Sequence, residues 1–228
     1  MKFDSWTEVA RFHNPMKGGR LDEQVIERRR DPLTGTTSIL SRSLTDKAAL
    51  FFGKTDEALI GRLERNSREG CLFCPERVYD VTPRYPADVL PEGRMERDGV
   101  LLFPNIFPLS GLHAVLVRPT VHSLRLHQFT SEVLRGFLAT AAEFIGTVRR
   151  QVPAWRFASV NCNHLPPAGA SLMHPHFQVF GGERPPGRLQ WEFSRVEKYR
   201  RATGAWYWEA LVEEERRLGR RYIVEDAG

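Results

Sequence analysis

Between residues 131 and 150 the apolar side chains Val133, Leu134, Phe137, Leu138, Ala141, Phe144, Ile145 and Val148 recur at three- and four-residue steps. That spacing gives a helix with one buried stripe. Thr130 or Ser131 can cap it, Glu132 suits its positive end, and Arg149 and Arg150 suit the other. Short apolar runs flank it on both sides. Val100-Leu101-Leu102-Phe103 reads as a buried strand stopped by Pro104, and His113-Ala114-Val115-Leu116-Val117 as a second stopped by Pro119. Phe157 to Asn161 gives a third, and a fourth runs from about His174 to Phe180, ended by Gly181-Gly182. The connections are too short to demand a wholly parallel sheet, so the expected fold class is α+β, mainly antiparallel, with one long packing helix.

The flanks are harder to read. Residues 1–70 hold few periodic apolar runs; Asp31-Pro32-Leu33-Thr34-Gly35 is a turn, and Asp56 to Arg68 a short helix with Thr55 as N-cap. From Leu189 aromatic and charged residues alternate; Ala205 to Arg217 reads as a helix and Arg221 to Val224 as a strand. Three segments are therefore expected: an arm over 1–70, a core over 71–188, and a helical, aromatic tail over 189–228. No run of about 18 apolar residues is present, which excludes a spanning helix. The first residues lack the apolar stretch of a secretory signal, so a cytoplasmic protein is expected. The net charge of +5 suits phosphate-bearing ligands, but the arginines are spread along the chain, which argues against nucleic acid.

Chemistry gathers at two places. Cys71 and Cys74 stand at Cys-x-x-Cys spacing, which lets two thiolates meet one ion or form a redox pair. Tetrahedral zinc needs two further ligands. His122 follows a proline-containing turn and His174 starts a strand, so these are the preferred donors, with His127 and His164 as competitors. Cys162, at the end of a strand, reads as a core residue. The second place is His174-Pro175-His176-Phe177-Gln178. Residues two apart on a strand share a face. His174 could then serve a metal, His176 attack phosphorus, and Gln178 donate its amide to a phosphate oxygen. Ser171 and the backbone of the Gly169–Ser171 loop could supply further donors. A purely structural strand, or one binding metal through both rings, fits the same spacing.

Taken together, these segments resemble the galactose-1-phosphate uridylyltransferase family of the histidine-triad superfamily. Arg28-Arg29-Arg30-Asp31-Pro32-Leu33-Thr34-Gly35 is similar to the family's N-terminal motif, and Cys71-x-x-Cys74 to its zinc knuckle. His113 to Val117 followed by Pro119-Thr120-Val121-His122-Ser123, and Gly169-Ala170-Ser171 through Gln178, complete the ordered set. The resemblance implies a histidine-triad-like fold, Zn2+ at Cys71, Cys74, His122 and His174, and a nucleotidyltransferase in which His176 becomes uridylylated. It implies Gln178 and Ser171 as phosphate contacts, and Asn163, Asn105, Arg28 and Arg29 as substrate contacts. The implied partners are a nucleotide sugar, a sugar phosphate and a second subunit of a homodimer. Three departures stand out. Ile106 replaces the usual acidic residue after Asn105, Ser41-Arg42-Ser43-Leu44 replaces the family's basic stretch after Pro-Leu-Thr-Gly, and the resemblance covers the first of the family's two fold copies.

Overall fold

The structure is a computed structural model that describes residues 1–44, 47 and 55–224. The chain forms two compact units, Met1–Thr55 with Pro186–Gly228, and Asp56–Pro185. This grouping differs from three consecutive segments: residues 56–70, read as part of the arm, belong with the core, and the first and last stretches are grouped together.

The Asp56–Pro185 unit is built on a five-stranded antiparallel sheet. Its strands are β4 (Met95–Arg97), β5 (Val100–Pro104), β6 (Leu112–Val117), β7 (Phe157–Asn161) and β8 (His176–Gly182), in the order β4-β5-β6-β8-β7. The helix expected from the apolar stripe spans Ser131–Gln151, with Thr130 as its cap. It turns Phe137, Ala141, Phe144 and Val148 onto one sheet face, where they meet Val100, Leu102, Leu112, Ala114, Leu116, Phe177 and Val179. The other face buries Leu101, Phe103, Val115 and Val117 against Val78 and Phe73. Strands covered on both faces read as continuous apolar runs, which is why β5 and β6 show no alternation.

Several local readings need correction. Residues 57–68 form α1 (Glu57–Arg68), but its N-cap is Asp56, whose carboxylate accepts from the Leu59 N–H at 2.8 Å, and not Thr55. The first carboxylate before the helix reaches the free amide, so Thr55 is one residue too early. Gly181 and Gly182 are the last two residues of β8, so the strand runs two residues past Phe180 before it ends. A Cβ on Gly181 would sit 2.9 Å from Leu112 Cδ2 and 3.0 Å from the Phe157 carbonyl, so a side chain here would force its neighbours to shift. His174 lies just before β8, outside the strand.

The other unit holds a three-stranded antiparallel sheet of β1 (Ser5–Asn14), β2 (Arg20–Arg30) and β3 (Thr37–Ser41). These strands fall in the stretch read as largely irregular. Both faces carry apolar and charged residues: Trp6, Glu8 and Phe12 on one, Val9 and Arg11 on the other. No clean two-residue period survives that mixture. Asp31 closes the β2–β3 connection by accepting from the Leu33 and Thr34 N–H groups at 3.0 and 2.6 Å, the turn expected there. The tail contributes two helices, Gly187–Thr203 and Tyr207–Leu218, numbered α4 and α5. Residues 221–224 form no strand. A one-turn helix, α2 (Val78–Val81), and the long Ser131–Gln151 helix, α3, complete the numbering.

Candidate functional site

Four donors converge from three stretches of chain. Cys71 follows α1, its N–H bonded to the Arg68 carbonyl at 3.1 Å. Cys74 opens the turn into α2, and its carbonyl accepts from the Arg77 and Val78 N–H groups at 3.0 Å each. His122 stands after the turn closed by Val121 N–H on the Arg118 carbonyl. His174 leads into β8. The ligand atoms of Cys71, Cys74, His122 and His174 all lie within 4.8 Å of one another, and all four residues are buried.

The donor set fits a tetrahedral ion. Metal–sulfur and metal–nitrogen bonds of about 2.3 and 2.05 Å at a tetrahedral angle place sulfur and nitrogen about 3.6 Å apart. Here Cys71 Sγ is 3.6 Å from His174 Nδ1, Cys74 Sγ is 3.7 Å from the same nitrogen, and Cys74 Sγ is 3.3 Å from His122 Nδ1. Both outer ring nitrogens have oxygen acceptors. His174 Nε2 donates to the Arg118 carbonyl at 3.1 Å, and His122 Nε2 donates to Ser67 Oγ at 3.0 Å. Ser67 Oγ spends its own proton on the Glu64 carbonyl. Each ring therefore turns an Nδ1 lone pair toward the thiols, the usual outer support of a metal-bound imidazole. Burial pushes the Cys74 thiol up to about 11, with neighbouring Cys71 adding to the effect, and burial draws His174 down to about 4. A divalent cation would supply the charge that turns such thiols into thiolates.

Beside this cluster lies His176. The β6–β8 register sets His176 opposite Val117, Gln178 opposite Val115 and Phe180 opposite His113. All project on the sheet face away from α3. His176 Nδ1 donates to the His174 carbonyl at 2.9 Å, so Nε2 keeps its lone pair. His176 is 8% exposed. Phe73, inside the Cys-x-x-Cys turn, packs edge-on against His176 at 5.7 Å and against His174 at 5.8 Å. One aromatic ring thus touches both the donor cluster and the free imidazole.

The remaining expected site residues are spread more widely. Gln178 is half-buried on the His176 face, and Asn105, at the end of β5, lies near it through His113. Ser171 and Asn163 are exposed in the loop before β8, where Asn163 Nδ2 lies 3.5 Å from the Cβ position of Gly169. Gly169 has φ +92°, which lets the loop turn there without a side-chain clash. Arg28 and Arg29 lie on β2 in the other unit, and each already holds a carboxylate: Glu8 at 2.8 Å and Glu27 at 2.7 Å. His127 is exposed and outside the donor cluster, and His164 packs edge-on against Phe129 at 5.0 Å. Cys162 packs against the main core. The sequence reading missed two residues of the site, His113 and Phe73. A polar residue within the apolar run 112–117 was the available signal for His113.

A scan against models of known protein families finds no match. A protein of Archaeoglobus fulgidus described as uncharacterized is 32% identical over 98% of this chain and 63% of its own length. Among solved structures, an ADP-glucose phosphorylase from Arabidopsis thaliana with bound ADP-glucose superposes with a TM-score of 0.53 and 19% identity, over 78% of this chain and 56% of that one. A member of the HIT family from Bacillus subtilis gives a TM-score of 0.40 and 15% identity, over 68% of this chain and 99% of that one. The chain thus spans less than two thirds of both the archaeal protein and the plant enzyme. What the plant structure shares with it is fold: the chain is α+β, antiparallel and histidine-triad-like, as expected from its sequence.

Proposed function

We propose that the chain is a nucleotidyltransferase that works through a nucleotidyl-histidine on His176. The observation that carries this reading is the hydrogen bond from His176 Nδ1 to the His174 carbonyl. It fixes the tautomer and leaves the Nε2 lone pair for a nucleophile's role, on the strand face that Gln178 shares. In the proposed step Nε2 bonds to the α-phosphorus of a nucleotide sugar. The bond from that phosphorus to the bridging oxygen breaks, and a sugar 1-phosphate leaves with the electron pair. The imidazole gains positive charge, which the His174 carbonyl stabilises through Nδ1–H. A second phosphate oxygen then attacks the same phosphorus, and Nε2 leaves. Gln178 and Ser171 are assigned to the phosphoryl oxygens, Asn105 and Asn163 to the nucleotide. Arg28 and Arg29 are kept as substrate contacts on the strength of the resemblance alone.

Cys71, Cys74, His122 and His174 would hold Zn2+, which would supply the charge that fixes the thiolates. The chain's own part is to set His174 as an anchor, so that its carbonyl stands where His176 needs it. The resemblance favours a uridine nucleotide sugar with a hexose 1-phosphate as acceptor. An adenine-nucleotide reading, with inorganic phosphate as acceptor, draws on the likeness to the ADP-glucose phosphorylase.

Isotope exchange separates these readings. Labelled glucose 1-phosphate is incubated with unlabelled UDP-glucose or ADP-glucose, with no other acceptor present. Label entering UDP-glucose supports uridylyl transfer, and label entering ADP-glucose alone supports the adenine reading. Exchange into neither removes the transferase reading and leaves a nucleotide-binding protein without catalysis.

A further inference from the structure

His113 is a buried polar residue to which the reaction above gives no task; it is 3% exposed. Its ring lies over Phe180 at 4.1 Å between centroids. Nδ1 stands 3.0 Å from the Leu109 backbone nitrogen. A backbone N–H only donates, so Nδ1 must offer a lone pair, and the ring proton therefore sits on Nε2. Nε2 is 2.8 Å from Gln178 Oε1, and this N–H donates to it. A carboxamide can be turned either way, but only its oxygen can accept this proton. The Gln178 NH2 group must then point away from His113.

Asn105 follows the same logic. Its Oδ1 accepts from the Phe107 N–H at 2.8 Å, which turns its Nδ2 toward His113 Nε2 at 3.1 Å. Two N–H donors cannot satisfy each other, so the Asn105 hydrogens remain available to an acceptor. Two backbone amides thereby set the polarity of the whole group. Asn105 and Gln178 both present donors, and an acceptor-rich ligand is what such a pair recognises.

We propose that His113 is a positioning residue that, held as the Nε2–H tautomer by the Leu109 amide, locks Gln178 so that its NH2 group faces the phosphoryl oxygens. The inference rests on the phosphoryl-transfer reading for its ligand and on hydrogen-bond geometry for the tautomer. Phenylalanine at position 113 keeps the ring stack and loses both polar contacts. Glutamine can accept from Leu109 and donate to Gln178.

The test has two arms on the full chain with its metal. Nitrogen-15 NMR of labelled histidines reads the His113 tautomer, with His113→Phe identifying its signals. The Nε2–H form is expected, and the Nδ1–H form would overturn the proposal. In the kinetic arm, His113→Phe should lower kcat roughly 10–100-fold with little change in KM, the scale expected when one donor to a transition state is misaligned. His113→Gln should recover most of the loss, and His113→Phe should add less than about twofold to Gln178→Ala. Multiplying losses in the double variant, or equal losses in the phenylalanine and glutamine variants, would overturn it. A wild-type chain that transfers nothing would remove the transferase reading, while the tautomer would still decide the role of His113.

Discussion

An imidazole becomes a useful nucleophile when one nitrogen is tied down and the other is not. In the proposed reading His174 and His176 divide that work across a single intervening proline. The His174 ring faces the thiols through Nδ1, while its carbonyl holds His176 Nδ1 at 2.9 Å. His176→Asn should therefore abolish nucleotidyl transfer, by about 10³-fold or more, with metal content and melting temperature close to wild type. A variant as active as wild type in the exchange assay would refute the assignment. Cys71→Ser should act the other way, on stability first. A roughly 100-fold loss of ion affinity removes about 2.7 kcal/mol at saturating metal, equivalent to roughly 5–10 °C for a chain of this size. Differential scanning calorimetry should rank Cys71→Ser below His176→Asn in melting temperature, and the reverse order would count against a stapling role. At this scale the sequence was informative. Cysteines three apart and histidines at 122 and 174 were readable as donors, and the four donor residues come together within 4.8 Å. His113 and Phe73 were missed because their roles come from neighbours distant in sequence: Leu109 and Gln178 for one, the two histidines for the other.

Among the elements, α3 and β8 position the site through the core between them. Phe137 is fully buried and stacks on Phe177 at 4.4 Å, directly between His176 and Gln178 in the chain. Phe137→Ala should cost about 3–5 kcal/mol, seen as a lower denaturation midpoint. A loss below about 1 kcal/mol would mean the helix does not carry the sheet. The β1–β2 hairpin depends on a polar anchor instead. Asp22 accepts from Lys17 at 2.7 Å, Asn14 at 2.8 Å and Gln24 at 3.2 Å, and these contacts, Lys17 foremost, hold its carboxyl down to about 2. A carboxyl depressed on folding stabilises the chain above its unfolded value of about 3.9, and that stabilisation fades as pH falls toward 2. Asp22→Asn should lower the melting temperature at neutral pH, with the gap from wild type closing between about pH 4 and pH 2. A gap constant down to pH 2 would contradict this. The elements legible in the sequence were those with one buried face or two. α3 shows a stripe, and β5 and β6 show continuous apolar runs. α4 buries no residue and is laced by pairs such as Arg188–Glu192 and Arg201–Glu197, so it showed no period to read.

Across the whole molecule, the donor cluster joins positions 71, 74, 122 and 174, and so ties α1, the β6–α3 connection and the entry to β8. Within the described residues no helix is long and apolar enough to cross a membrane. The division into Met1–Thr55 with Pro186–Gly228 and Asp56–Pro185 was not legible, because grouping the first and last stretches leaves no local mark in composition. The antiparallel class was legible, because short apolar runs separated by turns leave few other arrangements. The proposed function depends most directly on a covalent intermediate. The chain is mixed with nucleotide sugar labelled in the α-phosphate, quenched at high pH, digested and mapped by mass spectrometry. One acid-labile nucleotidyl group on His176 is the expected result. Label on another residue, or none with either UDP-glucose or ADP-glucose, would contradict a nucleophilic His176.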